Sequence, residues 1–210
     1  MFTWLMPAIF LARQRQPPAF RWFLICQFIS FGMEFSSLGL YYLKISPNYI
    51  INTCNAFSLI WVSYFFYHAI GWKSLKSLFV VINVLFLLFS IPNLLFIQKL
   101  SPNYYTMTMQ YLLILGFCIL FYYKMLKELP SIQVQKDPLF LIVSGWFFTH
   151  AGQVVLTLVS TYMLSILKDN MQVLWLMFLF LNFFGNLIKT VGAYFQFKIM
   201  KAEKAQPARI

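Results

Sequence analysis

Acidic side chains are scarce in this chain. Five Asp and Glu stand among 210 residues, against sixteen Lys and Arg. Charge of both signs together makes up only 10% of the composition, while 61% is hydrophobic and 20% aromatic. A soluble domain needs a far more charged surface, about 25–35% Lys, Arg, Glu and Asp. Cysteine is also sparse. Cys26, Cys54 and Cys118 follow no disulfide or metal spacing and lie in or near apolar runs, where thiols act as small core residues. Catalytic motifs are missing: the sequence holds no His-Glu zinc pair on a helix, no nucleophile elbow, no phosphate loop and no acidic metal cluster. The sequence therefore predicts no enzyme, no catalytic residue, no metal and no cofactor. A basic stretch ahead of the first apolar run is missing too. Positions 1–12 are apolar and Arg13 and Arg15 come after them, which is the reverse of a cleavable signal and predicts an N-terminus outside.

What the chain does have is a series of long apolar runs separated by short polar breaks. They predict an all-α, polytopic membrane protein with seven transmembrane helices at roughly 1–12, 20–43, 48–70, 75–97, 103–123, 138–163 and 171–197. Residues 1–197 read as a single seven-helix domain and 198–210 as a basic cytoplasmic tail. The first run is short for a span of about 20 residues. Pro47, Pro102 and Pro138 each follow a capping side chain (Ser46, Ser101 and Asp137), which marks helix starts. Asp169 and Asn170 can cap the seventh helix, and Pro92 predicts a kink in the fourth.

The basic residues fall on alternate breaks. Arg13, Arg15, Arg21, Lys73, Lys76, Lys124, Lys127, Lys136, Lys198, Lys201, Lys204 and Arg209 lie on one side; Lys44, Lys99 and Lys168 lie on the other. Lys and Arg collect on the cytoplasmic side, so the N-terminus is expected outside and the C-terminus inside an inner membrane. This pattern also excludes a nucleic-acid reading of the net charge of +11, because the cations flank spans rather than form one stripe. They suit anionic headgroups instead. Aromatics gather at both expected interfaces: Tyr41, Tyr42, Tyr49, Tyr104, Tyr105 and Trp175 outside, Trp22, Trp72, Tyr122, Tyr123 and Tyr194 inside. The motif Lys-x-Ser-Pro-Asn-Tyr occurs at Lys44 and again at Lys99, as a repeated interfacial cap or the trace of a duplicated helix pair.

Three ionisable residues sit deep in the spans: Glu34, His150 and Lys189. Such groups are expensive in hydrocarbon and normally face a bundle interior or a cavity. From the inner end of each span the helical rise places Lys189 about 12 Å in, His150 about 18 Å and Glu34 about 21 Å. Each has polar company along its own helical face. Glu34 has Gln27, Ser30, Ser37 and Tyr41; His150 has Gln153, Thr157 and Thr161; Lys189 has Asn182, Asn186 and Gln196. Three polar stripes in lipid should face one another. Glycines recur seven apart on the same helices, at Gly32 and Gly39, Gly145 and Gly152, and Gly185 and Gly192, and are expected to be close-packing faces.

A lysine in the last of seven helices resembles microbial rhodopsins in topology, but the third span has no Asp or Glu to match their carboxylates. Three segments carry another resemblance: Asn55 to Phe66, Pro138 to Gly152, and Leu174 to Leu187. They are similar to uncharacterised seven-helix inner-membrane proteins of Bacteroidota, often encoded near sensor histidine kinases. That resemblance implies a sensory or signal-transducing module acting with a cytoplasmic partner. The alternative is a small-solute or proton-coupled transporter using Glu34, His150 and Lys189. The partners expected are the lipid bilayer, a cytoplasmic kinase or regulator, and a second copy in a homo-oligomer.

Overall fold

The computed structural model describes residues 5–11, 16–44, 48–97, 104–128, 134–166 and 171–205. All of their regular structure is helical. The seven α-helices are α1 (Met6–Leu11), α2 (Pro18–Tyr42), α3 (Asn48–Ile70), α4 (Lys76–Pro92), α5 (Tyr104–Glu128), α6 (Pro138–Ile166) and α7 (Met171–Ala205). Among the described residues, five segments are long and apolar enough to cross a membrane: Pro18–Leu40, Lys73–Phe96, Tyr104–Glu128, Pro138–Val159 and Leu176–Lys204. α3 is long enough but more polar, with Asn52, Asn55, Ser58, Ser63 and His68 along it. It survives in apolar surroundings because α2, α4 and α5 pack around it.

Of the expected first span at 1–12, the described helix covers Met6–Leu11. It packs between α2 and α7, with the Phe10 ring 5.6 Å from Tyr194 and 6.2 Å from Phe197. The helix of α7 runs past the expected end of its span to Ala205 and takes in the first part of the predicted tail. Helix formers Lys198, Met200, Lys201, Ala202, Glu203 and Lys204 explain the continuation.

The helices close into a ring in the order α1, α2, α3, α5, α6, α7, with α4 packed outside against α3. α4 leaves Leu78, Val81, Val84, Leu85 and Leu88 exposed, an apolar face suited to lipid. At Pro92 the α-helix gives way to a π-helical turn over Asn93–Ile97. Proline lacks the N–H that its own position would donate, and its ring crowds the preceding turn. The widened turn is held to α5 by Asn93 Nδ2 donating to Thr106 Oγ1 at 3.0 Å.

One cap lies where the sequence placed it. Asp137 Oδ1 accepts from the Phe140 N–H at 2.8 Å and starts α6. The caps expected at Ser46, Ser101, Asp169 and Asn170 fall outside the described residues. At the end of the bundle that carries most of the lysines, α3 stops at Gly71, whose φ of 72° suits glycine. Lys124 Nζ donates to the Ala69 carbonyl there at 3.1 Å and also faces Glu128 at 3.7 Å. Trp72 Nε1 donates to Glu128 Oε1 at 3.0 Å, which ties the α3–α4 corner to the end of α5.

The glycines of α6 and α7 share one seam. A Cβ on Gly145 would lie 2.6 Å from the Gly185 carbonyl oxygen, and one on Gly192 would lie 2.8 Å from the Pro138 carbonyl oxygen. Thr149 Oγ1 fills the space a side chain on Gly185 would need, and Leu181 does so at Gly152. Gly32 and Gly39 differ: nothing lies within 4 Å of a Cβ at either, so among the described residues they are not at a close-packed seam. The reason is that α2 packs on α1 and α3 with other faces. Gly145→Ala and Gly185→Ala should therefore lower stability by about 1–3 kcal/mol through overpacking. Gly32→Ala should leave it unchanged or raise it by about 0.5–1 kcal/mol. Thermal melting of the three variants in lipid nanodiscs checks the contrast.

Candidate functional site

A cavity of about 730 Å³ opens inside the ring. α2 contributes Gln27, Ser30, Glu34 and Ser37; α3 contributes Asn55 and Ser58; α5 contributes Gln110 and Tyr111. α6 adds Thr149, His150 and Gln153, and α7 adds Asn182. The lining reaches Leu38, Ile51, Met107 and Phe178 at the end of the bundle remote from the lysine-rich corner. At depth it stops at Cys26, Val62, Ile114 and Trp146.

Below that floor the ring is filled by aromatic side chains. Phe23, Phe65 and Phe66 are fully buried. Trp146 meets all three, with centroid separations of 5.8, 4.5 and 5.4 Å, and Phe117 closes on Phe66 at 5.6 Å. Edge-on and tilted packing of this kind is favourable beyond the area it buries. The polar lining of the cavity therefore ends on a closed aromatic layer.

The polar stripes read from the sequence largely converge here. Gln27, Ser30, Glu34 and Ser37 face His150 and Gln153 across the cavity. Gln153 Nε2 donates to Asn182 Oδ1 at 3.3 Å, joining α6 to α7. Asn182 Nδ2 in turn donates to the Phe178 carbonyl at 2.9 Å. Thr157 lies above, hydrogen-bonded with Thr108 of α5 at 3.0 Å. The side chains of Tyr41 and Thr161 fall outside the described residues. Asn186 and Gln196 are buried, and Thr190 donates to the Asn186 carbonyl at 2.6 Å.

His150 lies against Tyr111, with ring centroids 5.3 Å apart. Its Nδ1 is 2.8 Å from the Trp146 carbonyl oxygen. A carbonyl only accepts, so Nδ1 carries a proton. In the neutral ring Nε2 is then an acceptor. Lys189 lies lower and is 1% exposed, so it is enclosed by protein. Its stem crosses α6 in the gap that Gly145 leaves, and its charge lies within electrostatic reach of Cys26 and His150. Glu34 and Lys189 each interact with other groups in the protein.

Sequence reading missed the contributions of α3 and α5. A signal was present in each. Asn52, Asn55 and Ser58 recur every three residues, and Thr106 and Gln110 are four apart, spacings that share a helix face. Gln110 Nε2 donates to Ser58 Oγ at 2.7 Å and links the two helices at the cavity wall. Among the described residues no cluster of His, Cys, Asp or Glu can hold a metal ion.

Fold and composition together define an all-helical protein of the multi-pass membrane class, with a polar cavity inside the bundle. No family model, curated protein or solved structure matches the chain.

Proposed function

We propose that this chain is a sensory or signal-transducing module of the inner membrane. It crosses seven times, with its N-terminus outside and its C-terminus inside, and acts with a cytoplasmic kinase or regulator. The cavity, closed on one side by the aromatic layer, carries this reading. In the proposed orientation its polar lining lies toward the outside, and the aromatic layer lies between it and the cytoplasmic corner around Trp72, Lys124 and Glu128. A molecule seated on Trp146 would press on side chains that belong to α2 and α3 at once. The alternating loop charge supports the orientation, and basic residues at the end of α7 offer a contact for an acidic partner or anionic lipid.

The transporter reading rests on Glu34 and His150 lining one cavity with Lys189 beneath them. The closed floor favours sensing over transport. Purified protein in proteoliposomes, held under a pH gradient and a membrane potential, separates the two. The sensory reading predicts proton flux no greater than in empty vesicles. Flux that disappears in Glu34→Gln would move the assignment to a proton-coupled transporter.

A further inference from the structure

The cavity wall carries a single formal charge. Among the described residues that line it, Glu34 is the only Asp, Glu, Lys or Arg, and it is half-buried. Lys189 is 1% exposed and is not part of that lining. Ser30 and Ser37 flank Glu34 one turn away on the same helical face, and both line the cavity.

The half-buried neutral groups around Glu34 offer acceptors more than donors. Ser37 Oγ donates its hydrogen to the Met33 carbonyl at 2.8 Å, so its lone pairs remain. His150 spends its Nδ1 proton on the Trp146 carbonyl at 2.8 Å, so Nε2 of the neutral ring accepts. Ser58 Oγ is engaged both ways, donating to the Asn55 carbonyl at 3.0 Å and accepting from Gln110 at 2.7 Å. Asn182 has given one amide hydrogen to the Phe178 carbonyl, which leaves it one more. The hydroxyls of Ser30 and Tyr111 turn either way. A group that meets a carboxylate, a hydroxyl oxygen and an imidazole nitrogen has to bring hydrogens and positive charge. A protonated amine brings both, and the bond it makes to a carboxylate is of the strong, charge-assisted kind. Glu34 already interacts within the protein. A carboxylate has about four acceptor sites, so a further donor finds room.

The remaining walls set the rest of the molecule. A volume of about 730 Å³ lies in the range of organic ligand pockets and is far larger than a bare ion needs. Val62, Ile114 and Trp146 make the floor apolar, with Tyr111 also in the lining. Glu34 lies about 12 Å of helical rise from Cys26 in that floor, room for an aryl or alkyl body on a short linker.

We propose that the cavity binds a small organic cation, a protonated amine on an apolar or aromatic body, with its ammonium group at Glu34 and its body toward Trp146. This rests on the sensory reading and names the class of molecule sensed.

The test uses full-length protein in phosphatidylglycerol nanodiscs at neutral pH and three probes of similar shape: phenethylamine, 2-phenylethanol and phenylacetate. Binding is read by saturation-transfer NMR and by thermal melting. Phenethylamine at millimolar concentration should give transfer signals and raise the melting temperature by about 2–4 °C. 2-Phenylethanol should bind at least about tenfold more weakly, and phenylacetate not at all. Glu34→Gln keeps the shape and loses the charge, so phenethylamine should lose its advantage over 2-phenylethanol. Glu34→Asp keeps the charge and should keep the preference. A preference is a ratio, so it separates the lost charge from a general loosening of the wall. Wild-type preference for phenylacetate or 2-phenylethanol would overturn the proposal. So would absence of phenethylamine binding, or an undiminished preference in Glu34→Gln. Adding phosphatidylethanolamine to the nanodiscs supplies a competing ammonium group from lipid. Unchanged phenethylamine binding supports a soluble amine, and about a tenfold loss would overturn it in favour of a headgroup. Proton flux in proteoliposomes would sink the sensory reading and leave the phenethylamine result standing, so the two failures are distinguishable.

Discussion

Trp146→Ala should be among the most damaging single changes in the chain. Trp146 is 3% exposed and meets Phe23, Phe65 and Phe66 at once. Removing a buried indole leaves a void that rigid helices refill only in part, and comparable truncations lose about 3–5 kcal/mol. The surrounding rings belong to α2 and α3 and Trp146 itself to α6, so the loss should appear as a fall in cooperative melting and not as local fraying. Trp146→Phe keeps most of the ring contacts and should recover more than half of the loss. Melting of the two variants beside the wild type in the same nanodiscs measures this. Equal melting temperatures for Trp146→Ala and wild type would show that the aromatic layer does not hold the bundle together.

Lys189→Arg should fail where a snorkelling lysine would accept it. A lysine that reaches an interface tolerates arginine, which keeps the charge and reaches as far. Lys189 is enclosed, and its stem occupies the gap left by Gly145 at the α6–α7 seam. A planar guanidinium is larger than an ammonium and cannot shed its proton. The expected loss is at least the 1–3 kcal/mol or so of an overpacked core. Lys189→Met keeps the unbranched stem without the added bulk, so it should melt above Lys189→Arg. A wild-type melting temperature for Lys189→Arg would return the residue to the interface.

Much of the helix layout was legible in the sequence, because apolar runs, proline after a capping residue, and glycine past a helix end all act locally. Asp137 before Pro138 and Gly71 after Ile70 are examples. α1 was less legible. Its apolar run resembles a span in composition, but only tertiary packing decides that Phe10 turns toward Tyr194 and Phe197. The glycine pairs show the same limit. Identical spacing on α2, α6 and α7 gave identical expectations, yet only α6 and α7 meet backbone to backbone. Which face of a helix finds a neighbour depends on the ring order, and that order is not written in any single helix.

The site divided in a similar way. Charged residues in apolar runs stand out, so Glu34, His150 and Lys189 were visible at once. Neutral amides do not stand out, and Asn55 and Gln110 passed as incidental polar residues in helices without charge. The floor was hidden for another reason. Phe23, Phe65, Phe66, Phe117 and Trp146 sit in a sequence that has 25 phenylalanines, and nothing local separates a plug from a lipid-facing ring.

A cysteine-accessibility scan in intact cells tests the central claim most directly. In a background free of native cysteines, single cysteines are placed at Lys44, Ser37, Asn55, Phe66 and Lys204. They are then exposed to a small, charged, membrane-impermeant thiol reagent. A cavity closed by the aromatic layer, with its polar lining toward the outside, predicts fast labelling at Lys44, slower labelling at Ser37 and Asn55, and none at Phe66 or Lys204. Labelling at Phe66 would contradict the closed floor, and labelling at Lys204 would contradict the orientation.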